Sequence, residues 1–219
     1  MNGLGLYTYF RSSAAYRVRI ALNIKGLDYH SHLVHLLKDG GEQHSAAYRQ
    51  LNPQGLIPAL LTGEYENPIS QSIAIIEYLD ESYPQPSLLP DTAIDRAWVR
   101  SLALMVCCDI HPLNNLRVHA YLKDVLDIDD AARQAWYQHW VSEGLAAIEN
   151  RLAASNHNSP FSYGDRPGMA DLCLIPQIYN AIRFECDISR FTTLARIYSN
   201  CMALEAFSNA APENQPDHE

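Results

Sequence analysis

LGLYTYFRSSAAYRVRIALNIKG, Leu4–Gly26, is the stretch that decides the fold. Its first seven residues read as a strand, and Arg11-Ser12-Ser13 breaks the run. Beyond the serines, the spacing of Val18, Ala21, Leu22 and Lys25 predicts a helix with one apolar face, closed by Gly26. Ser12 and Ser13 therefore stand where a strand turns into a helix, a place where hydroxyls satisfy the orphan N–H groups of the first turn. Arg11, Arg17 and Arg19 lie within the same few residues of a chain whose formal net charge is -9. Local positive charge beside a helix N-terminus raises the question of which anion the segment holds.

Working outward, YHSHLVHLL (29–37) is strand-like, SAAYRQLN (45–52) is a short helix, and NPQGLIPALL (52–61) leads into a third strand. TGEYENP (62–68) reads as a turn, so the strands on either side of it form a hairpin, and QSIAIIEYLDESYP (71–84) is a helix. Residues 1–84 thus read as a β-α-β-α-β-β-α domain. PQPSLLPD (84–91) is a proline-rich linker. Residues 91–219 form an all-helical domain: long periodic patterns cover 92–126 and 130–154, and further helices are expected at 168–184 and 192–207. The polar tail NAAPENQPDHE (209–219) is expected to fray.

Charged residues make up 19% of the chain without a long single-sign run, which argues against a nucleic-acid surface. No apolar run approaches the roughly 20 residues that cross a bilayer, and the N-terminus lacks the apolar core of a signal peptide, so a cytoplasmic location and no membrane partner are expected. The five cysteines are scattered and never spaced as a metal knuckle. On a strand His30 and His32 share one face while His35 falls on the other, so the three do not converge on a metal. A G-x-S-x-G elbow, a Walker A loop and a dinucleotide G-x-G-x-x-G are all missing.

FRSSAAYRVRIALNIKGLDYH, taken together with LNPQGLIPAL, QSIAIIEYLDESYP, IHPLNNLRV and MADLCLIPQIYNAIRF, closely resembles the zeta class of glutathione transferases from about residue 4 to residue 208. The resemblance implies an α/β thioredoxin-like N-terminal domain, an all-α C-terminal domain and glutathione as cofactor. It implies that Ser13 contacts the glutathione sulfur, with Ser12 and the backbone around Ala14 and Ala15 near by. A hydroxyl donor and a helix N-terminus both favour thiolate over thiol. By the same resemblance Ile57, before a cis Pro58, pairs with the cysteinyl part, Gln71 and Ser72 hold the γ-glutamyl end and Gln43 reaches the glycyl end. His111, Asn115 and Arg117 are expected on the first long helix after the linker, touching glutathione from there. Arg11 and Arg183 would hold the carboxylates of a small dicarboxylic keto acid, because guanidinium forks match carboxylates bidentately. Arg19 reads as an arginine that solvates a surface or pairs with a carboxylate.

The family includes isomerases that turn cis maleyl keto acids into their trans fumaryl forms, and the resemblance favours maleylpyruvate, an intermediate of gentisate-type aromatic degradation, over maleylacetoacetate of tyrosine breakdown. A glutathione-consuming transferase or peroxidase and an inactive binding member of the fold stay open. A homodimer is implied by the resemblance alone. Two positions depart from the family pattern. Ala14 stands where a cysteine usually follows the two serines, and Gly168 stands where a threonine or serine usually caps the helix carrying Asp171.

Overall fold

The computed structural model describes residues 3–63, 67–155 and 159–219. It divides into two compact units, Met1–Ser87 with Ala203–Glu219, and Leu88–Met202. Parts of the TGEYENP turn and of the loop SNHNSPFSYGDRPG lie outside the described residues.

In the first unit β1 (Leu4–Thr8), α1 (Ser13–Lys25), β2 (Tyr29–Leu33), α2 (Ala46–Leu51), β3 (Ala59–Leu61), β4 (Ile69–Ser70) and α3 (Ser72–Ser82) follow one another in the expected order. The sheet order is β2-β1-β3-β4, with β1 and β2 parallel and the other two pairs antiparallel. A parallel pair needs a crossover, and α1 supplies it. Gly26 ends α1 in the left-handed conformation (φ 63°) that a glycine adopts without steric cost. α1 packs beside α3, and Val18, Ala21 and Leu22 of one and Ile75, Ile76 and Leu79 of the other have no exposed surface. This is the thioredoxin-like arrangement that the resemblance implies.

The second unit holds α4 (Ala93–Leu104), a π-helical segment (Met105–Ile110), a short 3-10 turn (Pro112–Asn114), α5 (Leu116–Asp124), α6 (Asp130–Ala154), α7 (Met169–Arg183) and α8 (Thr192–Met202). The periodic stretch 92–126 is therefore a broken helix. His111 N–H donates to the Val106 carbonyl at 2.8 Å, a π-type bond, and Pro112, which has no N–H, stops the ladder before Asn115 caps α5. Gly144 of α6 meets the π segment, where a Cβ would overlap the Ile110 side chain.

α7 explains the glycine at 168. A Cβ there would lie 2.8 Å from the Leu88 carbonyl oxygen, which also accepts the Met169 N–H at 2.8 Å. Close backbone approach excludes a larger residue, and Asp171 takes over the cap: its carboxylate accepts Gly168 N–H at 2.9 Å and Ser162 N–H at 2.8 Å. Burial pushes the Asp171 carboxyl above its ordinary range while these bonds pull it back.

The C-terminal residues correct two expectations. The helical domain ends at Met202, not at residue 219, and the segment from 203 onward, with α9 (Glu205–Ser208), belongs to the first unit. The tail does not fray. Asp217 accepts Phe10 N–H at 3.0 Å, Phe207 carbonyl accepts the Tyr16 hydroxyl at 3.2 Å, and Ala210 carbonyl accepts Arg19 Nε at 3.0 Å.

Candidate functional site

Sheet topology gathers the residues of interest in the first unit. Tyr7 of β1 pairs with Ala59 of β3, and Ala59 pairs with Ser70 of β4. The C-terminal end of β1, the N-terminal end of β3 and the C-terminal end of β4 therefore lie side by side. From that one end of the sheet leave Arg11-Ser12-Ser13, Ile57-Pro58 and Gln71-Ser72. The parallel strand β2 also finishes there, and it leads into the loop that holds Gln43.

At the start of α1 the two serines have different tasks. Ser12 is the N-cap, and its Oγ accepts Ala15 N–H at 3.2 Å. Ser13 is the first residue of the helix and is buried, beside the half-buried Ala14. Capping thus belongs to Ser12, and Ser13 is the serine whose hydroxyl stands at the positive end of the helix without being its cap. Arg11 is exposed, with its guanidinium 4.8 Å from the Phe10 ring centroid.

Residues 9–10, which lead into these serines, are held from behind by Arg19. This side chain has no exposed surface and is the correction to the surface reading. Its Nε donates to Ala210 carbonyl, Nη1 to Thr8 Oγ1 and Tyr9 carbonyl, and Nη2 to Phe10 carbonyl, all between 3.0 and 3.2 Å. Burial lowers its pKa to about 10, so the group is still a cation at neutral pH.

The loop before β3 is pinned by two donors on the Leu56 carbonyl, Tyr48 hydroxyl and Asn52 Nδ2, each at 2.7 Å. The Ile57-Pro58 peptide that follows is cis. Gln71 caps α3 with φ 71° and ψ 116°, a conformation that non-glycine residues hold only where the surroundings enforce it and that clusters at ligand sites. Its Nε2 donates to Gln54 Oε1 at 2.9 Å. Ser72 is buried, and its Oγ accepts Arg17 Nη1 at 3.2 Å. Gln43 is buried against Gly41, where φ 96° favours glycine, and its Nε2 donates to Leu36 carbonyl at 3.2 Å.

In the second unit, His111 and Asn115 do not lie on one long helix. His111 sits between the π segment and the short turn, and Asn115 is the N-cap of α5. Their side chains still meet, with Asn115 Nδ2 at 3.5 Å from His111 Nε2. Asn115 Oδ1 accepts the backbone N–H of Arg117, whose side chain is exposed. Arg183 ends α7, exposed, 4.8 Å from the Phe184 ring centroid. Among the described residues no three His, Cys, Asp or Glu side chains come together as a metal site. His35 serves its own turn, its Nδ1 accepting Leu37 and Lys38 N–H.

Residues 11–82 match the family model of the glutathione S-transferase N-terminal domain. Over 218 residues the chain is 51% identical to a probable maleylacetoacetate isomerase of Vibrio cholerae, covering 99% of each chain. The holo structure of a maleylpyruvate isomerase, described as a bacterial zeta-class glutathione transferase, is 44% identical with a TM-score of 0.94, covering 98% of this chain and 100% of the other. The crystal structure of a maleylacetoacetate isomerase from Methylobacterium extorquens AM1 with bound malonate and glutathione is 37% identical, also at TM-score 0.94, with 98% and 99% covered.

Proposed function

Because the chain belongs to the zeta class of glutathione transferases, we propose that it is a glutathione-dependent isomerase that converts maleylpyruvate to fumarylpyruvate. The observation that carries the glutathione half of this reading is the convergence at one end of the sheet of two helix N-termini, those of α1 and α3. Such termini attract anions, and glutathione offers a thiolate and a γ-glutamyl carboxylate. The residues fit the cofactor: Ser13 at the positive end of α1, the pinned Leu56-Ile57 backbone, and the strained Gln71 with Ser72 at the start of α3.

When bound, glutathione supplies a thiolate that adds reversibly to the carbon–carbon double bond, so that rotation about it becomes easy and the thiol is regenerated. The chain's own residues prepare that chemistry. Ser13 donates its hydroxyl to the sulfur and, with the first-turn N–H groups of α1, keeps it ionised at neutral pH. Ile57 offers its backbone N–H and C=O to the cysteinyl peptide, and Gln71 with Ser72 fixes the γ-glutamyl end. Gln43, His111, Asn115 and Arg117 complete the binding set. Arg11 and Arg183, both exposed, would each offer a guanidinium fork to a carboxylate of the substrate. No side chain of the chain has to be the nucleophile, which agrees with Ala14 in place of the usual cysteine. A homodimer and a cytoplasmic location are part of this proposal and rest on the family resemblance.

Maleylacetoacetate is the second reading, favoured by the name of the 51% identical relative. Proton NMR of purified protein with each substrate, with and without glutathione, tests both. The expected result is trans product only when glutathione is present, faster with maleylpyruvate, and with the thiol count unchanged. Consumption of thiol would favour a transferase instead, and absence of product with either acid would overturn the isomerase reading.

A further inference from the structure

Tyr9 and Phe10 lead from β1 into the two serines, and Ser12 N–H closes a turn on the Tyr9 carbonyl at 3.0 Å. The peptide between Tyr9 and Phe10 is held at both ends by opposite charges. Its C=O accepts Arg19 Nη1 at 3.2 Å, and its N–H donates to Asp217 Oδ2 at 3.0 Å. Asp217 is half-buried, and its other oxygen is buried with no hydrogen-bond partner among the described residues. The next two residues close on the same pair. The His218 ring stands edge-on to Phe10 with centroids 5.4 Å apart, and Glu219 Oε1 lies 3.4 Å from Nε2 of His35, whose ring packs against Tyr9. A carboxylate with one oxygen out of water and unpaired is a costly way to tie down a chain segment, and an apolar contact would do so at less cost. Opposed charges do something an apolar contact does not: a negative group at the N–H and a positive group at the C=O fix the plane of the peptide as well as its place.

We propose that Asp217 is a positioning residue for the sulfur site, acting through the Phe10 N–H on the turn from which Ser12 and Ser13 leave. The inference rests on the glutathione reading above and adds to it a residue about two hundred positions away in sequence. Arg19, wholly buried and bonded at four points, carries the stability of this corner, whereas Asp217 adds one bond from a half-buried site. Loss of that bond leaves the fold in place and frees the Tyr9–Phe10 peptide to turn about its hold on Arg19. Ser12 follows, because its N–H is tied to the Tyr9 carbonyl, and the first turn of α1 follows Ser12. A hydroxyl that stabilises a thiolate works only over a short range of distance and angle, so a small turn there is felt by the sulfur and little elsewhere.

The test compares wild type with Asp217→Ala in three measurements: ultraviolet titration of the bound glutathione thiol, calorimetric affinity for glutathione, and turnover of maleylpyruvate. Asp217→Ala is expected to raise the pKa of the bound thiol toward its free value and to lower turnover about ten-fold, with affinity changed by less than about two-fold. Asp217→Asn, which keeps an oxygen for the Phe10 N–H, should recover most of both losses, and no recovery would contradict that bond as the route. A merely structural role would shift the urea midpoint and leave the thiol titration and the turnover of folded protein unchanged, which would overturn the proposal. Should Asp217→Ala fail to fold, Asp217→Glu carries the test: the longer side chain keeps the charge but moves the acceptor, and an unaltered thiol titration in it would equally overturn the proposal. Wild-type protein that shows no binding of glutathione would bring down the glutathione reading first, and this inference with it.

Discussion

Arg19 and Arg17 leave α1 two residues apart, both almost wholly buried, into surroundings of different kinds. Every donor nitrogen of Arg19 meets an acceptor, and those acceptors come from the end of β1, the residues before the serines, and the C-terminal segment. Among the described residues Arg17 has a single hydrogen bond, to Ser72. The same residue type on the same helix is a structural rivet on one side and an uncompensated charge on the other. Proteins retain a buried unpaired charge at a cost in stability, and that cost points to work done on something outside the chain.

Arg19→Met should have the largest effect on folding. It strips donors from three carbonyls and Thr8 Oγ1, and a loss of about 3–5 kcal/mol is expected in urea unfolding. Arg17→Met, measured the same way, should cost less than about 1 kcal/mol, since removing an unpaired buried charge relieves its desolvation. Equal losses for the two variants would erase the contrast.

The two serines sharpen the comparison at the next helical turn. Ser13→Ala is expected to lower turnover about 100-fold, the scale of one lost donor to a developing or fixed anion, with stability little changed. Ser12→Ala removes the Oγ that accepts Ala15 N–H and should cost about 1 kcal/mol of stability, seen as a shifted unfolding midpoint. Ala14→Cys, which restores the family's usual residue at a half-buried position, is expected to change turnover by no more than about two-fold. A large gain would show that the thiol contributes where the chain now lacks it.

Periodicity in the sequence located the first unit well, because its strands are short apolar runs between clear turn residues and α1 ends on a glycine that only the left-handed conformation explains. It was misled by 92–126, where apolar spacing continues through a π segment: the extra residue per turn leaves no mark in a pattern read at 3.6 residues. The docking of the tail leaves no mark in the sequence, because it uses the Ala210 backbone carbonyl and the Asp217 carboxylate, which carry no hydrophobic signal. Arg19 was misread for a related reason: a buried arginine is paired by backbone groups that are distant in sequence. The site residues came from family resemblance and not from spacing, since a serine before a helix is equally a cap. Only the structure gives the cap to Ser12, whose Oγ accepts Ala15 N–H. The burial of Arg17 had one available signal, its spacing of four from Ser13.

The most direct test of this account is the ionisation of glutathione's thiol when bound, followed by the ultraviolet absorbance of the thiolate across pH in wild-type protein and Ser13→Ala. A thiol pKa well below that of free glutathione in the wild type, returning toward the free value in Ser13→Ala, is the expected result. Identical titrations in the two proteins would contradict the assignment of the sulfur to the first turn of α1.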